Sequence, residues 1–207
     1  MHISDFRKRP FLGILRNIEK ELIEPIVDTS ISAGLRAIEI TMNTPDAPAI
    51  IKRACSRSCD KIAIGAGTVL DMDMLKLALD SGATFIVSPC LIKDVCAYCA
   101  ENSITNFPGA LTPSEVYQAH KLGATMIKVF PAGLFGTRYF RDLKGPFSDI
   151  ELLACGGVNE DNVKSYFDAG ASAIAFGESI FKKNLLMARD FKQIESDIKA
   201  LIAAKEI

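Results

Sequence analysis

The chain has 207 residues, an apolar fraction of 49% and a formal net charge of -1. This length suits one domain, predicted to span residues 1–207, and the apolar content is sufficient for a sizeable buried core. Because there is no excess of positive charge, nucleic acid is not an expected partner.

The N-terminal segment and the cysteines favour a cytoplasmic protein. Residues 1–9 are polar and charged, without the apolar core of a secretory signal, and no apolar run approaches the ~20 residues that a membrane-spanning helix needs. The six cysteines are therefore interpreted as reduced thiols. Cys96 and Cys99 have Cys-x-x-Cys spacing, but no second pair follows, so they are predicted to be buried on a helix. No membrane, metal or cofactor is expected to bind.

Short apolar runs alternate with longer amphipathic runs along the whole chain. The short runs lack a clean polar alternation, which is typical of strands covered on both faces. The predicted strands are Phe11–Arg16, Ala37–Met42, Lys61–Val69, Phe85–Pro89, Ile104–Gly109, Met126–Pro131, Leu152–Val158 and Ala173–Gly177. The predicted helices are Ile18–Ala33, Pro45–Ser56, Asp71–Ser81, Ile92–Asn102, Pro113–Leu122, Tyr139–Leu143, Glu160–Ala169 and Lys182–Ala204.

The order of these elements predicts an α/β fold. Strand–helix alternation indicates a parallel sheet, and eight units of about 25 residues favour a closed (β/α)8 barrel, a TIM barrel, over an open doubly wound sheet. Thr112, Pro113 and Glu115 predict a capped helix start. Four helices are predicted to end at a glycine: Gly34, Gly82, Gly123 and Gly170. No Gly-x-Gly-x-x-Gly follows the first strand, so no dinucleotide site is predicted.

Two charged residues stand inside predicted apolar strands. Lys128 lies within Met126–Pro131, and Glu39 lies within Ala37–Met42. Burial favours the neutral form of an amine, which is a nucleophile toward a carbonyl carbon. A carboxylate beside it can carry the protons that such chemistry moves. The alternatives are a buried salt bridge that only supports the fold, or a half-exposed strand.

Two more candidates lie at the predicted carboxyl ends of strands, where barrel enzymes place their active sites. Arg16 ends the first strand, and its planar fork suits an anionic group. Thr68 follows Gly65-Ala-Gly67, and its hydroxyl suits a carboxylate or keto oxygen. For each, the alternative is an ordinary strand-end residue.

A phosphate site is predicted after the last two strands, where this fold usually has one. The segments Cys155-Gly-Gly-Val158 and Phe176-Gly-Glu-Ser179 supply Gly156, Gly157, Gly177 and Ser179 as candidate ligands. Glu178 opposes this interpretation because a carboxylate repels phosphate.

These residues resemble the class I 2-keto-3-deoxy-6-phosphogluconate and 2-keto-4-hydroxyglutarate aldolases. The matching phrases run in the family's order across most of the chain: Glu39-Ile-Thr41, Gly65-Ala-Gly-Thr-Val69, Ile86-Val-Ser-Pro89, Phe107-Pro-Gly109, Thr112-Pro-Ser-Glu115, Lys128-Val-Phe-Pro131 and Gly156-Gly-Val158. The resemblance implies that Lys128 forms a Schiff base and that Glu39 is the acid–base residue. It also implies that Thr68, Pro89 and Phe130 line a pyruvate pocket, in a homotrimer that needs no metal and acts on a small keto acid.

One departure from the family bears on the substrate. The gluconate-type enzymes carry an arginine shortly after the catalytic glutamate, where this chain has Asn43, and Arg16 is the candidate replacement. With Phe135-Gly-Thr137, this favours the 2-keto-3-deoxy-6-phosphogalactonate branch. The expected products are pyruvate and glyceraldehyde 3-phosphate. The alternatives are cleavage of 4-hydroxy-2-oxoglutarate, a non-covalent phosphate-binding isomerase or epimerase, and a non-catalytic sensor.

Overall fold

A computed structural model describes residues 1–205, so residues 206 and 207 of the predicted domain lie outside the described residues. The strands are β1 (Phe11–Leu15), β2 (Ala37–Thr41), β3 (Ala63–Gly67), β4 (Phe85–Val87), β5 (Thr105–Phe107), β6 (Gly109–Ala110), β7 (Ile127–Val129), β8 (Leu152–Cys155) and β9 (Ala173–Phe176). The α-helices are α1 (Ile3–Lys8), α2 (Ile23–Ser32), α3 (Ala47–Ser58), α4 (Met72–Asp80), α5 (Lys93–Glu101), α6 (Pro113–Lys121), α7 (Gly136–Lys144), α8 (Val163–Asp168), α9 (Lys183–Met187) and α10 (Phe191–Ala203).

The parallel sheet closes on itself through Pro108. Its strand order is β5-β4-β3-β2-β1-β9-β8-β7-β6, and the strands at its two edges are separated in the sequence by Pro108 alone. Proline has no N–H and interrupts the ladder, but the Pro108 carbonyl accepts a hydrogen bond from the Lys128 N–H at 2.9 Å. β5 and β6 therefore form one barrel strand, the predicted Ile104–Gly109. The predicted (β/α)8 barrel is confirmed.

Several helix signals lie where the sequence predicts them. The Glu115 carboxylate accepts the Thr112 N–H at 2.8 Å, and the Thr112 hydroxyl accepts the Glu115 N–H at 3.3 Å, which completes a capping box at the start of α6. Gly34, Gly82, Gly123 and Gly170 all have positive φ, between 81° and 98°. This left-handed conformation favours glycine and lets the chain leave each helix toward the next strand.

Buried side chains form two layers around the strands. Outward side chains such as Ile38 and Val129 pack in a core with residues of the surrounding helices. Inward side chains such as Leu12, Phe85 and Leu153 fill the barrel. The strands are therefore mainly apolar on both faces, as their apolar runs predict.

A helix that the sequence does not predict closes the amino-terminal end of the barrel. Phe6 of α1 is 1% exposed, and its ring lies 5.6 Å from that of Phe107. The amino group of Met1 donates a hydrogen bond to the Thr84 carbonyl at 3.0 Å. With this end covered, the interior is accessible from the carboxyl ends of the strands, where barrel sites lie.

Two predicted helices begin differently from expectation. The predicted Ile18–Ala33 begins with a 3-10 turn at Lys20–Leu22, and α2 starts after it because Pro25, which lacks an N–H, is accommodated in the first turn of a helix. The predicted Tyr139–Leu143 extends to the full length of α7.

The prediction of one continuous helix over Lys182–Ala204 is wrong. Arg189, between α9 and α10, has a φ of 53°, which ends the first helix. Asp190 then starts the second, because its carboxylate accepts the Gln193 N–H at 3.1 Å. This break turns the chain at the mouth of the barrel.

The cysteines and the helices agree with the other expectations of the sequence. All six cysteines are free, and Cys96 and Cys99 are buried on α5 as predicted. Among residues 1–205, none of the helices combines the length and the apolar content needed to cross a bilayer.

Candidate active site

Lys128 and Glu39 both lie in the interior of the barrel, where they are 4% and 1% exposed. Side chains two residues apart on a strand share a face, and the residues two positions before them, Met126 and Ala37, belong to the interior core. Within the described residues, no ion pair of 4.0 Å or less joins the two. The salt bridge considered as an alternative is therefore not present, and both groups remain open to other chemistry.

The Glu39 carboxylate occupies space that Gly67 leaves open. β2 and β3 pair so that Glu39 lies beside Gly65, and a Cβ on Gly67 would lie 2.4 Å from Glu39 Oε1. Glu39 Oε2 is buried and has no hydrogen-bond partner. Burial raises the pKa of the Glu39 carboxyl, and the charges of Lys128 and Arg16 oppose this rise. Glu39 therefore holds a proton to higher pH than an exposed glutamate does, which suits a proton carrier.

Gly67→Ala is expected to displace the Glu39 carboxylate and to lower the free energy of unfolding by about 1–3 kcal/mol, as overpacking does. Urea unfolding measures the change. Gly145→Ala is the matched control, because the nearest atom to its added Cβ is the Asp142 carbonyl oxygen at 3.4 Å, an ordinary contact. Equal stability of the two variants would contradict the crowding at Gly67.

Lys128 lies between an aromatic ring and a thiol. Its Nζ is 5.4 Å from the centroid of the Phe130 ring, within range of a cation–π contact. Cys155, on the neighbouring strand β8, is 3% exposed. Burial raises the pKa of the Cys155 thiol more than the nearby Lys128 and Arg16 lower it. A neutral thiol therefore accompanies the amine, and Glu39 is the carboxylate coupled to it.

A cavity of about 940 Å³ opens at the carboxyl ends of β1, β7, β8 and β9, and we call it the barrel-mouth cavity. The predicted site residues in its wall are Arg16, Phe130, Gly156, Gly157, Gly177 and Ser179. Cys155 also lines it and connects it with the surroundings of Lys128. The cavity thus leads from the mouth of the barrel toward the buried amine.

Two predicted site residues, Thr68 and Pro89, lie at the carboxyl ends of other strands of the barrel. They follow β3 and β4, are half-buried, and are not in the wall of the barrel-mouth cavity. Thr68 has a φ of 55°, a strained conformation for a β-branched residue that occurs most often at functional sites. Asn43 is exposed after β2 and is also outside the cavity wall.

The segments after β8 and β9 present bare backbone to the cavity. Gly156 and Gly157 have φ of 89° and 82°, and the Gly156 carbonyl accepts the Gly133 N–H at 2.8 Å. Consecutive glycines leave peptide groups uncovered by side chains, which suits the close approach of phosphate oxygens. The Ser179 hydroxyl donates to the Val158 carbonyl at 3.3 Å.

The cavity wall also contains charged residues that were not predicted as ligands. Glu178, the discordant carboxylate, lines it together with Glu19. Two cationic residues, Lys183 and Arg189, come from the segment that was predicted as continuous helix. In residues 1–205, no group of three or more His, Cys, Asp or Glu side chains is placed to hold a metal ion.

Comparison with known proteins gives one consistent family. The family model described as KDPG and KHG aldolase matches residues 3–196. The 2-dehydro-3-deoxy-6-phosphogalactonate aldolase of Escherichia coli (strain K12) is 32% identical over 194 residues, which cover 93% of this chain and 95% of that protein.

Solved structures of other proteins superpose on nearly the whole of this barrel. A structure described as native KDPGal superposes with a TM-score of 0.89 at 30% identity, over 95% of this chain and 94% of that one. A cube-shaped protein cage, designed by fusing symmetric oligomeric domains, gives the same TM-score of 0.89 at 30% identity and covers 96% of this chain and 73% of that one.

Proposed function

The chain belongs to the KDPG and KHG aldolase family, and we propose that it is a class I aldolase that uses Lys128 as its Schiff-base amine. Its reaction is the reversible cleavage of a 2-keto-3-deoxy-6-phospho sugar acid to pyruvate and glyceraldehyde 3-phosphate. The observation that carries this proposal is the placement of Lys128 and Glu39, buried in one barrel interior and not joined by an ion pair.

The first half of the reaction joins Lys128 to the substrate. The amine adds to the C2 ketone, and the carbinolamine loses water to form an iminium ion. The ketone oxygen must gain protons to leave as water, and Glu39, whose pKa is raised by burial, supplies them. The gap between Glu39 and Lys128 exceeds ion-pair distance, which suits transfer through one water molecule.

The second half breaks the C3–C4 bond. The C4 hydroxyl loses its proton to the carboxylate of Glu39, the C4–O bond becomes a carbonyl, and the C3–C4 electron pair moves into the iminium to form an enamine. Glyceraldehyde 3-phosphate departs. Protonation of C3 and hydrolysis then release pyruvate and restore the amine. The apolar interior protects the enamine from other reactions.

The residues of the barrel-mouth cavity bind the two ends of the substrate. Arg16 lies close enough for its charge to act on Glu39 and Cys155, and we assign it the substrate carboxylate that the family's missing arginine would hold. Phe130 covers the pyruvate moiety. Thr68 and Pro89 complete the far side of this pocket, at the ends of β3 and β4.

The phosphate is assigned to the bare backbone at the other end of the cavity. Gly156, Gly157 and Gly177 contribute N–H groups, and Ser179 contributes its hydroxyl. The E. coli relative and the Phe135-Gly-Thr137 phrase favour the galactonate-type substrate.

A turnover panel tests the proposed function. The galactonate- and gluconate-derived 2-keto-3-deoxy-6-phospho acids and 4-hydroxy-2-oxoglutarate are supplied separately, and pyruvate release is measured. We expect pyruvate from at least one phosphorylated acid, with the galactonate type turned over fastest. Absence of pyruvate with every substrate would reject the aldolase assignment, while preference for 4-hydroxy-2-oxoglutarate would reject the phospho sugar acid.

We further propose that the enzyme is a cytoplasmic homotrimer. The structural relative built from symmetric oligomeric domains and the exposed apolar side chains of Leu134 and Phe135, 66% and 53% accessible, support association of several copies. Six free cysteines suit a reducing compartment. A native mass other than three chains would contradict the trimer.

A further inference from the structure

The barrel-mouth cavity extends well beyond the space needed for pyruvate. Its volume of about 940 Å³ lies near the upper end for small-molecule sites. From the glycines after β8 and β9, its wall continues to α9 and the turn that follows it, where Lys183, Leu186 and Arg189 line it. α9 directly follows the segment after β9, where the Gly177 carbonyl accepts the Phe181 N–H at 2.9 Å. This outer wall therefore adjoins Gly177 and Ser179, to which the proposed function assigns the substrate phosphate.

The two cations of the outer wall are not engaged in ion pairs with the described residues. By contrast, their neighbour Lys182 is not among the residues that line the cavity, and it forms an ion pair with Asp197 at 2.9 Å. Lys183 and Arg189 have no carboxylate within ion-pair distance among residues 1–205. Cations left without a partner beside a cavity are available to an anionic ligand.

Arg189 is held in a conformation that arginine rarely adopts. Its φ is 53°, its N–H bonds to the Leu186 carbonyl at 3.1 Å, and the next N–H, of Asp190, bonds to the Leu185 carbonyl at 2.9 Å. Glycine is the usual residue at such a helix end because other side chains are strained there. An arginine with this positive φ lowers the stability of the folded protein. Backbone strain of this kind is concentrated at functional sites.

The negative charges in the same cavity make these cations necessary for an anion site. Glu19 and Glu178 both line the cavity, and each repels a phosphate group. The backbone N–H groups of the glycines have no net charge with which to offset them. Arg16 also lines the cavity, but the proposed function assigns it to the substrate carboxylate. Lys183 and Arg189 are then the cations among the lining residues that can offset the two carboxylates toward a second anionic group.

We infer that Lys183 and Arg189 form an anion-binding outer wall that contacts the terminal phosphate of the substrate and makes the enzyme prefer phosphorylated keto acids. This inference rests on the proposed aldolase function and assigns that function two specificity residues. Arg189 offers a planar pair of N–H donors to two phosphate oxygens, and Lys183 adds a point charge. Together, these two positive charges offset the repulsion between the Glu178 carboxylate and the phosphate.

The test compares Lys183→Ala and Arg189→Gly with Lys182→Ala as the matched control. KM is measured for a 2-keto-3-deoxy-6-phospho acid and for the same acid without its phosphate. We expect each of the first two variants to raise the KM of the phosphorylated acid roughly tenfold or more, as loss of a charged hydrogen bond does. In these variants the KM of the unphosphorylated acid is expected to stay within about twofold of the wild-type value. In Lys182→Ala the KM of each acid is expected to stay within the same range.

Two further measurements keep the outcome unambiguous. Arg189→Gly is expected to unfold at the same or a higher temperature than the wild type, because glycine fits the φ of 53°, so weaker binding cannot be attributed to unfolding. Wild-type turnover reports on the proposed function independently. If the wild type turns over substrate but the two variants keep its preference for the phosphorylated acid, the outer wall is not an anion site. The same conclusion follows if Lys182→Ala raises the KM of the phosphorylated acid as much as they do.

Discussion

Replacement of Lys128 by alanine is expected to lower kcat for the phospho sugar acid by about 10⁴-fold or more, the scale on which loss of a covalent nucleophile acts. The reason is that, among residues 1–205, Lys128 is the buried amine that can form the iminium ion that accepts the C3–C4 electron pair. Steady-state release of pyruvate measures the effect, with enough enzyme to detect the residual rate.

Two variants separate this loss of chemistry from a loss of structure. Lys128→Met keeps the length and most of the volume of the side chain, so it is expected to fold like the wild type and to be as inactive as Lys128→Ala. Lys76→Ala, on the exposed face of α4, is expected to keep full activity. Substantial turnover by Lys128→Met would show that the reaction proceeds without a Schiff base at this position.

Glu39→Gln is expected to lower kcat by about 10²–10⁴-fold, the range for removal of a general acid–base group. Glutamine keeps the shape of the side chain beside Gly65 and Gly67 but cannot exchange a proton. The effect is expected in kcat rather than KM, because the carboxyl acts on the reacting atoms. Glu101→Gln, the same change at the exposed end of α5, is expected to leave kcat within about twofold.

Glu39→Gln is also expected to raise the Tm of the protein, and the increase is expected to be larger at high pH. The folded-state pKa of Glu39 is raised above its ordinary value of 4.5 because burial outweighs the attraction of Lys128 and Arg16. The stability of the wild type that depends on a protonated Glu39 is therefore fully present below pH 4.5 and is lost as the pH rises through the folded pKa. Glutamine stays neutral, so the gain in Tm grows across this window. A gain that shrinks with rising pH would contradict the burial of the carboxylate.

Much of the barrel could be predicted because each repeated unit carries its own local signals. Apolar strands without alternation, a capping box at Thr112 and glycines after the helices are short-range features that do not depend on distant contacts. The helix at Ile3–Lys8 was missed because its segment is polar apart from a few residues, and Phe6 gains its burial only from the finished barrel. The break at Arg189 was missed because neither glycine nor proline marks it.

Some residues of the candidate site could likewise be predicted from the sequence, and others could not. Lys128 and Glu39 could be identified because a charge inside an apolar strand is costly and therefore unusual. Cys155 could not be identified as a wall of the cavity, since a thiol in an apolar strand looks like any small buried residue. Lys183 could not either, because a lysine on the polar side of a predicted helix looks solvated. Their roles depend on which loops meet at the barrel mouth, which is a property of the tertiary structure.

The most direct test of the account is to incubate the wild-type protein with pyruvate and sodium borohydride and to locate the modified residue by peptide mass spectrometry. The account predicts that one reduced pyruvate is attached to each chain and that the modification lies on Lys128. Among residues 1–205, Lys128 is the lysine that is buried, and its charge acts on Glu39. An unmodified protein, or a modification placed on another lysine while Lys128 remains free, would contradict it.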